Sequence, residues 1–354
     1  MKKQMIGFFV IGAFLLMLPW VGVAEGGEDS RVIVDLAGRQ VRIPSKVKRV
    51  ATFVGPSYDK TFMLGDAENV VLLSFSQLPW AQRLNPGLKI VPTTESYKDP
   101  NIEDILQAGV DVLFYWSWSK PVKKMSDSGI PVICALGSST KPHTIDEFVL
   151  SVKNEVRLYG EVLGKEAQQR AREYSDYFDE KVNRVLSVTT KIPDSKKPKV
   201  YYVRGPDVLT THGSGSNTQW YVEMAGGNLI TKDTKIKNFG KVSIEQVLVW
   251  DPDIIMMGRL NSTDAIINSP KWKTITAVKK NQVYVNPQGH FYWDYGSEGA
   301  LFLLYLAKTF HPEQFSDIDM VQELKFFYGK FFRYQLADDE AHRILQHLPP
   351  EESD

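Results

Sequence analysis

Between Lys165 and about Ser187, apolar residues recur every three or four positions. They are Ala167, Ala171, Tyr174, Phe178, Val182 and Leu186, set in a charged background. That spacing predicts an amphipathic α-helix with one apolar stripe. At about 1.5 Å per residue it would span roughly 35 Å, about the width of a small domain. No Gly or Pro interrupts it. Glu180 stands four before Arg184, a spacing that supports an ion pair along the helix.

The pattern on either side changes to alternating strands and helices. Arg31–Ile43 alternates apolar and polar residues around a glycine and predicts a β-hairpin. Val47–Gly55 predicts a strand, followed after Gly-Pro-Ser by a helix closing near Gly65. Strands are predicted at Val70–Ser74, Asp111–Trp116 and Ile130–Leu136, with a helix at Ile102–Ala108. His143–Leu163 predicts a second amphipathic helix. Gly160 and Gly164 weaken it, by about 1 kcal/mol each, so the break falls near Gly164. A Pro- and Lys-rich linker, Lys191–Lys199, opens the second half. A strand at Val200–Gly205 then leads through a Gly/Ser loop into a helix at Trp220–Gly227. Val242–Gly258 reads as helix then strand, Trp272–Pro287 as helix, turn and strand, and the chain is helical from Ser297. This is an α/β protein with parallel sheets: two Rossmann-like lobes joined by one long α-helix. The division is residues 25–163, the interlobe helix 164–190, and residues 191–354.

The first 24 residues read differently. Lys2 and Lys3 precede an apolar run from Met5 to Val23, and small residues follow Pro19. This predicts a cleavable signal peptide and a periplasmic protein; a retained membrane anchor is the alternative. The single cysteine, Cys134, lies in an apolar strand pattern and reads as a core thiol. Lysine plus arginine equals aspartate plus glutamate, 42 of each, which gives no nucleic-acid-binding footprint.

A local echo relates the two halves. Asn101–Phe114, NIEDILQAGVDVLF, and Val242–Ile255, VSIEQVLVWDPDII, share a polar–Ile–Glu opening and a later Asp before an apolar run. Glu103 and Glu245 fall in the first turns of the two helices, where the helix dipole favours a carboxylate. Taken alone, each is explained by that. Taken as a pair, one per lobe, they form a candidate two-point dock for a partner. Six residues before each stands an aromatic in a polar loop, Tyr97 and Phe239. These rings either cover a small satellite core or face a shared cleft.

On RVATFVGPSYD, NIEDILQAGVDVLF, VSIEQVLVWDPDII and WKTITAVKKNQVYVNP, in that order and spacing, the chain resembles the periplasmic binding proteins of ABC importers for iron chelates, haem and cobalamin. The resemblance covers nearly all of the chain after the leader. It implies two α/β lobes on a helical backbone, no enzymatic activity, no intrinsic cofactor, a monomer, and an inner-membrane ABC permease as partner. It implies that Glu103 and Glu245 dock on permease arginines. It also implies a cleft lined by Phe75, Tyr97, Trp116 and Phe239. The expected ligand is an iron- or cobalt-containing chelate, with a ferric siderophore or haem first. A corrinoid, or a nickel or cobalt ion held by histidines, is the alternative.

Further candidates follow from residue type and position. GHFYWDYGSE (Gly289–Glu298) gathers a histidine, aromatics and acids in one loop, and the resemblance, to a family whose ferric-chelate binders often take a His or Tyr ligand from the second lobe, implies His290 and Tyr292 as candidate metal ligands, with His212 behind them. Arg204 and Arg259 lie just after strands, where α/β proteins bind ligands, and suit ligand carboxylates or solvent salt bridges equally. Tyr58, Trp220 and Trp293 complete the candidate lining. Trp80, Trp116, Trp118, Trp220 and Trp293 are expected to report binding by fluorescence. His143, His311, His342 and His347 read as unspecialised surface residues. A hydrolase reading of Gly213–Ser216 is weak, because the loop lacks the GxSxG and Walker spacings and there is no HExxH. A free-metal binder using His212, His290 and Asp294 or Glu298 is the other competing class.

Overall fold

The computed structural model describes residues 29–75, 77–94, 96–136 and 141–351; the leader assigned to residues 1–24 lies outside them. A hairpin of β1 (Ser30–Val34) and β2 (Gln40–Pro44) opens the chain. Then follow β3 (Val50–Thr52), α1 (Ser57–Met63), β4 (Val70–Leu73), α2 (Pro79–Leu84), α3 (Ile102–Gln107), β5 (Val112–Trp116), α4 (Ser119–Asp127) and β6 (Val132–Leu136). The four strands β3 to β6 form a parallel sheet in the order β4-β3-β5-β6. β3 and β5 are central, and β3 is buried throughout and β5 up to Trp116, as expected for a sheet covered on both faces. Cys134 is buried in β6, and burial pushes its thiol up to about 12, which keeps it unreactive.

Two long helices follow: α5 (Ile145–Leu163) and α6 (Lys165–Thr189). Gly164, at φ +118°, makes the break between them. Gly160 lies inside α5 rather than ending it. A Cβ there would come within 2.9 Å of the Ala171 Cβ and 3.0 Å of the Gln168 Cα, so this glycine sets how closely the helices pack. The predicted stripe on α6 is buried except at Leu186, which is half-buried. A second row, Tyr177, Lys181 and Val185, is buried as well because α6 is packed on two sides. The expected Glu180–Arg184 pair does not form. Glu180 meets Lys181, and Arg184 reaches Asp317 and Glu323.

The second half contains β7 (Lys199–Val203), β8 (Thr210–His212), α7 (Asn217–Met224), β9 (Asn228–Leu229), β10 (Phe239–Lys241), α8 (Ile244–Trp250) and β11 (Ile254–Met257). It continues with the short helices α9 (Asp264–Ile267) and α10 (Thr276–Lys279), then β12 (Val283–Val285), α11 (Gly299–Phe310), α12 (Met320–Phe327) and α13 (Asp338–Leu345). Its sheet runs β10-β8-β7-β11-β12, with β9 beside β7. It is mixed rather than parallel, because β8 and β10 run antiparallel.

Both halves share buried structure. One core cluster extends from Ile33 to Ile344 through α6. The C-terminal segment also returns to the first half: Trp80 donates from its indole to the Leu348 carbonyl, and Arg170 donates to the Met63 and Phe331 carbonyls. The link between the halves is therefore α6 together with this returning segment, not α6 alone.

Candidate functional site

Aromatic side chains at the C-terminal edge of the first sheet form one group. Trp116, the last residue of β5, stacks on Trp118 with centroids 4.9 Å apart. Tyr97 lies 5.1 Å from Trp116 and 6.3 Å from Trp118, and Phe75 meets Tyr97 edge-on at 6.4 Å. Tyr97 is fixed by its backbone, whose carbonyl accepts the Tyr115 hydroxyl at 2.5 Å. Trp118 keeps 41 % of its surface exposed, so the ladder is open to solvent. Three of the predicted cleft residues, Phe75, Tyr97 and Trp116, are thus brought together.

The second half contributes a cationic group. The Arg204 guanidinium sits 4.4 Å above the Phe239 ring, and that of Arg259 sits 4.5 Å above the Tyr292 ring. Phe239 is 56 % exposed. Arg259 also lies 3.8 Å from the buried carboxylate of Asp294. Burial works against charge on both arginines, but with opposite net outcomes. For Arg259, Asp294 and the neighbouring tyrosines outweigh burial and raise its pKa. For Arg204, burial and the like charge of Arg259 lower it. Among the described residues Arg204 has no carboxylate in ion-pair contact; its side chain donates only to the Gly205 carbonyl at 3.3 Å.

His212 closes the back of this group. It stacks on Tyr202 at 5.3 Å, bonds through Nδ1 to the Thr218 hydroxyl at 2.7 Å, and lies 3.8 Å from Asp294. Burial depresses its pKa to about 4 against the pull of Asp294, with both arginines adding to the effect. It is therefore neutral at pH 7.

Tyr295 joins the two groups. It interacts with the Trp116 side chain and lies in the field of Arg259 and Asp294. Its ring approaches Gly55, where a Cβ would come within 3.5 Å of it and within 3.3 Å of Phe291. The loop Gly289–Glu298 thus wedges between the halves. Its ends are anchored in the interior. Asp59 on α1 accepts from His290 Nδ1 and the Ser297 hydroxyl, both at 2.9 Å, and from the Ser297 amide at 2.6 Å. Glu298 accepts from the Phe291 amide at 2.9 Å and the Tyr328 hydroxyl at 2.7 Å.

Several expectations need correction. His290 is not a cleft residue: its side chain is fully buried, hydrogen-bonded to Asp59 and stacked against Tyr58, Phe62 and Phe332. It serves as an interlobe joint, which removes it as a metal ligand in this geometry. Tyr58 belongs to the same joint and accepts from Asn85. Tyr292, the other candidate ligand, is engaged beneath Arg259. Trp220, Trp293 and Trp80 are buried, leaving Trp116 and Trp118 as the accessible reporters. His311 and His347 are not surface residues; both are buried and bond to backbone carbonyls. Ser216 of the Gly/Ser loop caps α7 by accepting from the Gln219 amide, a structural role. Among the described residues no three of His, Cys, Asp and Glu gather to hold a metal ion. Asp59, Asp294 and Tyr295 were not singled out for these roles in the sequence; only the crowding of aromatics and acids in Gly289–Glu298 hinted at them.

Glu103 and Glu245 are exposed in the first turns of α3 and α8, which are capped by Asn101 and Ser243. Three residues on from each stands an exposed leucine, Leu106 (53 %) and Leu248 (37 %). A groove of about 830 Å³ lies at the outer edge of the first sheet along Val70–Leu72 and contains none of the cleft residues.

Residues 50–288 match the family model described as periplasmic binding protein. The molybdate-binding protein MolA of Haemophilus influenzae is 28 % identical over 337 residues, spanning 88 % of this chain and 94 % of the relative. The crystal structure of MolA bound to molybdate superimposes with a TM-score of 0.78 at 25 % identity, covering 87 % of this chain and 99 % of that one. A periplasmic solute binding protein from Veillonella parvula gives 0.74 at 27 % identity, covering 89 % and 97 %. Relatives of this kind bind solutes for ABC transporters and are not enzymes. With the matched region spanning most of the chain and the two-lobe fold in place, this chain belongs to the periplasmic binding protein family.

Proposed function

We propose that the chain captures an anionic, metal-bearing solute between the aromatic ladder and the arginine pair and delivers it to an ABC permease. The observation that carries this is Arg204: a partly buried guanidinium, held against a ring, beside a second arginine and without its own carboxylate. Such a charge is stabilised by a bound anion, and arginine's planar fork suits carboxylate and oxyanion oxygens. Trp118 and Phe239 leave flat apolar surface open on the two sides, which favours a chelate such as a ferric siderophore or haem. A bare oxyanion of the molybdate type is the second reading, favoured by the similarity to MolA and by the arginines themselves. Histidine capture of nickel or cobalt has less support, because His290 is enclosed and His212 bonds to Thr218. A corrinoid has no feature of its own here beyond the rings.

The test is calorimetric titration of the protein with a ferric catecholate, ferric citrate, haemin, molybdate, nickel(II)-histidine and cyanocobalamin. One of the anionic metal species is expected to bind, and Arg204→Gln and Arg259→Gln are each expected to weaken it by about 10- to 100-fold, the range for a lost charge-assisted hydrogen bond. Binding of the nickel or corrinoid probe alone, or affinity unchanged in both variants, overturns the reading.

A further inference from the structure

We propose that Asp294 is a specificity-determining residue that selects an anion carrying a hydrogen on its anionic group: a hydroxyl, a metal-bound water or a protonated acid oxygen. The proposal rests on the anion-binding reading above and narrows its ligand class.

The argument starts from satisfaction. Asp294 is 2 % exposed, and neither carboxylate oxygen has a hydrogen-bond partner. A buried carboxylate without donors is costly, and such groups in native proteins call for an explanation. The nearest charged or titratable donors stop short. Arg259 Nη2 lies 3.8 Å from one oxygen, and His212 Nδ1 lies 3.8 Å from the other. His212 Nδ1 is already engaged with Thr218 at 2.7 Å. The Tyr202 hydroxyl, which receives Asn286 Nδ2 at 3.1 Å, comes near enough to Asp294 to interact with it but falls outside ordinary hydrogen-bond geometry to either oxygen. Arg259 Nε is likewise buried and unpartnered. An acceptor and a donor thus stand unmet close together, with the Arg259 guanidinium over the Tyr292 ring and Tyr295 in the field of both.

A ligand group able to satisfy both must offer an oxygen lone pair to Arg259 and a hydrogen to Asp294. An anion without hydrogens satisfies only the arginine and brings like charge against Asp294. The site therefore discriminates between anions of equal charge and shape by one hydrogen. That discrimination is large when a site's buried polar groups would otherwise be left unpaired.

Hydrogenarsenate and selenate are suitable probes, because at pH 8 both are tetrahedral dianions and only arsenate carries an O–H. The full chain after the leader is titrated with each, alongside Asp294→Asn. Wild type is expected to prefer arsenate by at least tenfold. In Asp294→Asn, whose amide donates as well as accepts, the ratio is expected to fall to near one with selenate gaining. A wild-type ratio near one overturns the proposal without recourse to any variant. So does an equal gain for both probes in Asp294→Asn, which would make Asp294 a simple counter-ion to Arg259. Failure of both probes to bind also overturns it; a ferric chelate or haemin that still binds in an arginine-dependent way would leave the broader reading standing.

Discussion

Glu298 shows how far one buried side chain departs from its ordinary behaviour. Burial first, and then the negative charge of Asp59, push its pKa up to about 8, although the Phe291 amide, the Tyr328 hydroxyl and the Trp293 indole oppose the shift. The folded protein therefore holds a proton on Glu298 in a range where the unfolded chain, titrating near 4.5, has released it. From pH 4.5 to 8 the native state binds the extra proton, so this residue's contribution falls as pH rises, by up to about 1.4 kcal/mol per unit. His212 acts in the opposite sense over a lower window. Its depressed pKa makes the unfolded state the better proton binder between about 4 and 6.5, so its contribution grows with pH there. Glu298→Gln keeps one acceptor for the Phe291 amide and mimics the neutral acid toward Tyr328. The variant should match the parent near pH 5 and exceed it by more than about 1 kcal/mol near pH 8. Urea midpoints across that range check this; a difference that does not change with pH would show that Glu298 is ionised in the fold.

Among the elements, the helix pair α5–α6 gives the sharpest case of local and tertiary preferences in conflict. On propensity alone, Gly160→Ala should stabilise α5 by about 1 kcal/mol. The added methyl would stand 2.9 Å from the Ala171 Cβ and 3.1 Å from the Ala167 carbonyl, both on the facing helix. Overpacking of this kind costs about 1–3 kcal/mol. Gly160→Ala should therefore lower the melting temperature, while Gly160→Ala combined with Ala171→Gly recovers part of the loss. A melting temperature at or above that of the parent would mean the helices separate freely. The same interface explains what could be read from sequence. α6 was legible because its stripe is long and periodic, and α3–β5 and α8–β11 because helix and strand patterns follow in immediate order. The strands β8, β9 and β10 were not, being two or three residues each inside polar loops. Of the four aromatics grouped through the resemblance, Phe75, Tyr97 and Trp116 meet in one ladder, while Phe239 lies under Arg204 in the other half. His290 looked the same in sequence, yet Asp59, far away along the chain, draws it into the interior. Nothing local to residue 290 records that partner.

At the scale of the molecule, the two halves repeat one surface device. Each presents a glutamate in the first turn of a capped helix and an exposed leucine one turn further on, Glu103 with Leu106 and Glu245 with Leu248. The caps account for the helix starts without the glutamates: Asn101 accepts the Glu103 amide, and Ser243 and Gln246 form a reciprocal pair. The carboxylates are thus not needed to hold the fold. Hydrophobic surface beside a charge, duplicated at matching positions, suits a partner that contacts both halves at once, where two weak contacts on one rigid body gain from being joined. The link through α6 and the returning C-terminal segment supplies that rigidity. The pair Glu103→Ala and Glu245→Ala should leave ligand affinity and melting temperature unchanged and abolish uptake by the cognate permease. Leu106→Ser with Leu248→Ser should impair uptake in the same way, again without weakening ligand binding. Either single glutamate variant should retain partial uptake, since one contact remains. Loss of ligand affinity in the double glutamate variant would place these helices at the cleft instead, and full uptake in both double variants would assign the docking face elsewhere.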